Sequence, residues 1–207
     1  YPNLPYFMLG HSMGSFLLRK YLCIHHERLR GAIIMGTGYQ PDILLKFGRG
    51  MCRFLAKFRG WRYRSKLMQK LVLGGNDNKF RGENLTNSWL SKDVEIVKAY
   101  SKSPKCTFRF TLNGFYNLLD TIYYDNQPEN LAHMPKKLPL FLVSGKDDPV
   151  GGFGKGVVRV YNTYEALGLL DITWKLYETD RHEILNELDR QQVYEDIYHW
   201  IEVRRLT

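Results

Sequence analysis

Short apolar runs alternate along this chain with longer stretches of helical period. Residues 4–9 form a compact apolar run that ends at Gly10, which suits a buried strand. Residues 13–27 read as a helix, with Phe16, Leu17, Tyr21 and Ile24 near helical spacing. Residues 31–35 (GAIIM) are a second short strand, closed by Gly36-Thr37-Gly38. From Ile43 the period becomes helical again through Leu44, Phe47, Met51, Phe54, Leu55 and Phe58. Gly60 and Gly74-Gly75-Asn76-Asp77 interrupt this region. Residues 94–100 are helical and Pro104 ends them, while 117–124 and 128–134 look like short helices. A third strand over 138–143, a helix over 153–167, a fourth strand over 172–177 and a last helix over 193–204 complete the pattern.

Strand–helix–strand, a long helical insertion, then strand–helix–strand–helix predicts an α/β fold with parallel strands and crossover helices. Parallel strands covered on both faces read as near-continuous apolar runs, as these do. About a hundred residues between the second and third strands are too many for a plain loop. The predicted organisation is therefore a core from residues 1–40 and 136–207, with a helical cap inserted over residues 41–135.

Composition adds limits. The 207 residues are 44% hydrophobic and 25% charged, and no apolar run approaches membrane-spanning length. Cys23, Cys52 and Cys106 are widely spaced, without a CxxC pair, which points to a reducing compartment such as the cytoplasm. The net charge is +9, and much of the excess lies between Lys46 and Lys70, where nine Lys or Arg occur without an acid. Such a stretch is a solvated helix face or a surface drawn to anionic lipid. No nucleic-acid motif accompanies it, so nucleic acid is not an expected partner. The histidines and cysteines show no metal-ligand spacing, and no cofactor motif is present.

The first strand runs into Gly10-His11-Ser12-Met13-Gly14 and then into a helix. A serine hydroxyl needs a neighbouring base and a backbone that holds it forward to act as a nucleophile. A sharp strand-to-helix turn presents it, glycines on either side permit close approach, and the new helix points its free N–H groups at the site. The Met13 backbone N–H is placed to stabilise an oxyanion. The bare Gly-x-Ser-x-Gly pattern is weak; its strand–turn–helix setting strengthens it. A nucleophilic serine also needs a histidine base and an orienting carboxylate, on loops after later strands. The third strand leads into Ser144-Gly145-Lys146-Asp147-Asp148-Pro149, and the fourth into Glu178-Thr179-Asp180-Arg181-His182. Asp148 is favoured over Asp147, and His182 over His11, His25, His26, His133 and His199.

Together the segments LPYFMLGHSMGSFLLRKYL, GAIIMGTGYQ, NSWLSKDVEIVKAYSKSPKCTF, PLFLVSGKDDPVGGFGKGV and YETDRHEILNE resemble the α/β-hydrolase superfamily. The resemblance is to the branch of monoacylglycerol lipase and lysophospholipase-like enzymes, often labelled serine aminopeptidase-like. It implies Ser12 as nucleophile, Asp148 as orienting acid and His182 as base, hydrolysing an acyl ester, small molecule or lipid, through an acyl-enzyme. It also implies that the cap forms the acyl pocket; the apolar positions of the 44–58 helix suit either a lipid-meeting lid or ordinary cap core. A peptidase, or a non-catalytic module binding lipid or a partner, are the other readings. Members of this fold carry further strands before the serine turn, one of them leading to a second oxyanion donor. The chain therefore reads as the C-terminal part of such a hydrolase. Two expectations follow: its first strand lies at a sheet edge with apolar surface exposed, and its own turnover is weak.

Overall fold

A computed structural model describes residues 4–83 and 85–205. Four parallel strands, β1 (Tyr6–His11), β2 (Leu29–Met35), β3 (Leu140–Gly145) and β4 (Ile172–Tyr177), lie side by side in chain order. Helix α1 (Met13–Ile24) crosses from β1 to β2. The chain then runs through α2 (Asp42–Arg59), α3 (Lys66–Leu73), α4 (Val94–Lys102), α5 (Leu112–Tyr124) and α6 (Pro128–Leu131) before it re-enters the sheet. Helix α7 (Lys155–Ala166) joins β3 to β4, and α8 (Arg190–Arg205) follows.

The period-two rule separates the two faces of the sheet cleanly. Ala32, Ile34, Leu140 and Leu142 point to one side, where Leu18 and Leu22 of α1 and Val157, Val160 and Tyr164 of α7 cover them. Ile33, Met35, Phe141 and Val143 point to the other, against Val193 and Trp200 of α8. Phe141 stacks on Trp200 with ring centroids 5.7 Å apart. Burial on both faces explains why β2 and β3 carry almost no polar residue.

A third apolar cluster belongs to the insertion. Leu45 and Cys52 of α2, Met68 of α3, and Leu112, Phe115, Leu119 and Ile122 of α5 pack together, and Phe16 reaches up from α1 to join them. Polar side chains start three of the helices here: Ser65 accepts from the Met68 N–H, Asp93 from those of Glu95 and Ile96, and Thr111 from that of Gly114.

The structure corrects several details. The helix expected over 117–124 begins at Leu112, because the Thr111 hydroxyl caps it there. The helix expected over 128–134 is the single turn Pro128–Leu131. On α1, Leu18, Leu22 and Cys23 are buried beside Phe16, whereas Leu17, Tyr21 and Ile24 stay exposed. The helix is apolar on two sides, and the sheet covers one. In α2, Leu45, Gly48 and Cys52 turn inward, while Phe47, Phe54 and Phe58 are 55%, 60% and 68% exposed. These aromatics are therefore surface rather than cap core. β1 occupies the sheet edge, with Tyr6 and Leu9 exposed.

Candidate active site

Ser12 is the turn between β1 and α1, and it has φ 54° and ψ −121°. A non-glycine residue at positive φ is strained and needs surroundings that hold it. Its N–H donates to the Met35 carbonyl at the end of β2 (3.0 Å), and its carbonyl accepts from the Ser15 N–H (2.8 Å) and hydroxyl (2.6 Å). Gly10 is required for this turn, because a Cβ there would lie 2.4 Å from the Gly14 carbonyl oxygen. Gly14 is different: a Cβ on it would meet nothing within 4 Å, so the spatial demand falls on the first glycine of the pattern. Met13 is the first residue of α1, so its N–H lacks an intrahelical acceptor and faces out of the positive end of the helix dipole.

Asp148 and His182 meet from two separate loops. The buried His182 places Nδ1 2.9 Å from Asp148 Oδ2, which also accepts from the Ser144 hydroxyl at 3.2 Å. Asp148 Oδ1 accepts from the Val150 N–H at 2.8 Å. A carboxylate only accepts, so His182 Nδ1 donates to it, and in the neutral ring Nε2 is the acceptor. Nε2 is buried and has no hydrogen-bond partner among the described residues. Asp147, the competing acid, instead turns outward to the Lys79 ammonium (2.6 Å). The close approach of these loops depends on Gly145, where a Cβ would fall 2.1 Å from the Arg181 carbonyl oxygen.

The serine turn and the histidine share one strand end. Ser12 is bonded to Met35, and a Cβ on the next residue, Gly36, would lie 3.2 Å from His182 Cε1. The structure thus brings Ser12, Asp148 and His182 to the carboxyl ends of neighbouring parallel strands, where open α/β sheets place their sites. Among the described residues no group of three or more His, Cys, Asp or Glu could hold a metal ion.

The residue pattern passed over three further contacts. His11 lies beside His182, with rings 4.8 Å apart, and its Nε2 is 3.0 Å from the His182 carbonyl oxygen. Since a carbonyl only accepts, His11 Nε2–H donates. Burial, and then the repulsion two protonated rings would feel beside His182, hold the His11 pKa below the usual histidine value. Trp89, from the insertion, packs its ring 4.9 Å from that of His182 and accepts the His182 N–H at its carbonyl (3.3 Å). The buried Glu187 carboxylate accepts from the Arg181 N–H (2.9 Å), the Ser91 hydroxyl (3.0 Å) and the Lys92 N–H (3.0 Å). Arg181 in turn reaches the Ser88 carbonyl (2.7 Å) and the Glu83 carboxylate. Arg181 and Glu187 stand in the YETDRHEILNE segment and Trp89 in the NSWLSKDVEIVKAYSKSPKCTF segment, so the resemblance covers all three, but no spacing rule singles them out.

A parallel sheet, a strained serine at a strand-to-helix turn, and an acid and a histidine on loops after later strands define the α/β-hydrolase class. The chain belongs to the family described as serine aminopeptidase, S33, whose profile matches residues 1–189. A monoacylglycerol lipase of Mycolicibacterium smegmatis is 26% identical over 204 residues, covering 97% of this chain and 63% of that protein. A thermostable carboxyl esterase from Bacillus coagulans, solved with glycerol, superposes with a TM-score of 0.88 at 28% identity, over 98% of this chain and 66% of that one. A monoglyceride lipase from Saccharomyces cerevisiae, solved with a substrate analogue, shares the fold at a TM-score of 0.71 and 21% identity, over 99% and 64% of the two chains. This chain therefore spans somewhat less than two thirds of these relatives. No helix among the described residues is long and apolar enough to cross a membrane.

Proposed function

We propose that this protein hydrolyses acyl esters, of the monoacylglycerol or lysophospholipid kind, through an acyl-enzyme on Ser12. The observation that carries the reading is the His182–Asp148 pair at 2.9 Å, with His182 Nε2 buried and without a hydrogen-bond partner among the described residues, at the strand ends that carry the strained serine turn. Ser12 Oγ attacks the ester carbonyl as His182 Nε2 takes its proton, and Asp148 holds the imidazole and offsets its charge. The Met13 N–H donates to the oxyanion of the tetrahedral intermediate. Collapse expels the alcohol, protonated by His182, and leaves Ser12 acylated. Water activated by the same histidine then releases the acid and restores the hydroxyl. The lipase and esterase names of its relatives favour an ester over a peptide bond as substrate.

A fluorophosphonate probe tests this directly. Covalent labelling of the protein, lost in Ser12→Ala and strongly slowed in Asp148→Asn, is the expected result. A folded protein that stays unlabelled would favour a binding module.

A further inference from the structure

A cleft of about 740 Å³ opens in the insertion, and its lining includes Trp89, whose ring lies 4.9 Å from that of His182. That volume is within the range of small-molecule sites. One wall is a single face of α3: Lys66, Gln69, Lys70 and Leu73 follow the i, i+3, i+4, i+7 spacing that brings side chains to one side of a helix. The segment before α5 adds Lys105, Phe108, Arg109 and Phe110 to the lining. Phe108 and Phe110 lie 5.3 Å apart, and Phe110 continues into the cap core through Phe115 at 5.6 Å.

The lining is amphipathic and one-sided in charge. Lys66, Lys70, Lys105 and Arg109 all contribute to it, and none forms an ion pair with a carboxylate among the described residues. The acid in the lining, Asp77, spends its carboxylate on two backbone donors: Oδ2 accepts from the Asn87 N–H (2.8 Å) and Oδ1 from the Trp89 N–H (3.0 Å). Four cations without counter-ions in one concavity raise the local concentration of anions. The aromatic wall, meanwhile, offers apolar surface to a chain.

We propose that this cleft takes an anionic amphiphile: an acyl ester whose alcohol part carries a phosphate, held in preference to the neutral glyceride with the same acyl chain. That this occupant is a substrate rests on the proposed ester hydrolysis; the charge preference of the cleft does not. A neutral glyceride brings no counter-charge to the four cations, which then keep only water and free ions around them. A phosphate-bearing ester supplies a counter-charge to them within the same lining, which Trp89 shares.

The test uses the Ser12→Ala chain, so that binding is read without turnover. Short-chain lysophosphatidic acid and the monoacylglycerol with the same acyl group, both below micelle-forming concentration, are titrated and followed by calorimetry. Three or four partly exposed charge contacts predict about tenfold tighter binding of the phosphate ester at low salt, falling toward parity near ~0.5 M salt. Adding Lys66→Gln, Lys70→Gln and Arg109→Gln together removes that preference. A control with Lys57→Gln and Arg62→Gln, basic residues outside the cleft, retains it. Equal binding of the two lipids overturns the proposal, as does a preference lost equally in the control. So does inorganic phosphate binding as tightly as the lipid, or a preference seen only on anionic vesicles, which would assign the charge to a membrane-facing surface. Failure of the fluorophosphonate to label Ser12 would sink the hydrolase reading and leave this binding result standing.

Discussion

At Ser12 a φ of 54° is accepted where an L-residue resists it, and the two bonds to Met35 and Ser15 hold it there. The pattern of glycines around a serine made this residue legible, because only a few residue types allow such a turn. Asp148 was legible for a related reason: it follows a strand end, and its loop is short. His11 was not, since the second position of the motif accepts many residues and only the returning loop gives it a partner. We expect His11→Ala to lower kcat about tenfold with little change in KM, the loss of one well-placed hydrogen bond to the His182 backbone. His11→Gln, which keeps an N–H donor, should recover most of that loss. Steady-state kinetics on the three proteins decide it; a rise in KM at constant kcat would show that His11 serves substrate binding instead.

Elements were read well where one environment covers them. β2 and β3 are almost wholly apolar because both faces are buried, so a bare apolar run marked them. α2 was found by its period, yet the period did not say which residues turn inward. Gly48 at the contact settles it: a Cβ there would sit 2.7 Å from Leu119, so α2 and α5 approach closely along Leu45, Gly48 and Cys52. The aromatic residues on other sides of α2 are thereby left outside. The tie between the insertion and the His182 loop runs through the buried Glu187 carboxylate and its three donors. Glu187→Ala orphans those donors and is expected to destabilise the protein by ~2–4 kcal/mol. Hydrogen exchange should rise at residues 88–93 and 180–187 while β2 and β3 stay protected. Uniform acceleration, or none, would mean that the carboxylate does not hold these two segments together.

Across the whole molecule, one buried charge joins the insertion to the core. Asp125, at the end of α5, is buried with neither carboxylate oxygen hydrogen-bonded among the described residues; the Arg19 guanidinium of α1 lies 3.8 Å away. Arg19 itself is anchored on the Tyr164 hydroxyl (3.1 Å) and the Gly38 carbonyl (2.9 Å). Burial pushes the Asp125 pKa from 3.8 up to about 7, against the pull of Arg19 and Lys20. A carboxyl whose folded pKa is raised binds more protons in the folded than in the unfolded chain between those two values. Its contribution to stability is therefore full below the unfolded pKa and is lost as pH rises through the folded one. Across that window the loss is expected to run at about 1.4 kcal/mol per pH unit. Thermal melts between pH 4 and 8 should show a steeper decline in the native protein than in Asp125→Asn. Matching slopes would mean that Asp125 is ionised throughout.

By itself the sequence determined the four strands and the helices that join them, though not α3 or the start of α5, that the strands run parallel, and which serine, acid and histidine stand at strand ends. These follow from local period and from the few residue types that fit a tight turn. Only the tertiary structure decided which apolar residues are covered, since a helix with two apolar sides buries one of them against whatever arrives there. It alone brought His11, Trp89, Glu187 and the four cations of the cleft to their places. Each of those depends on contacts between residues far apart in the chain, and no local pattern encodes such a distance.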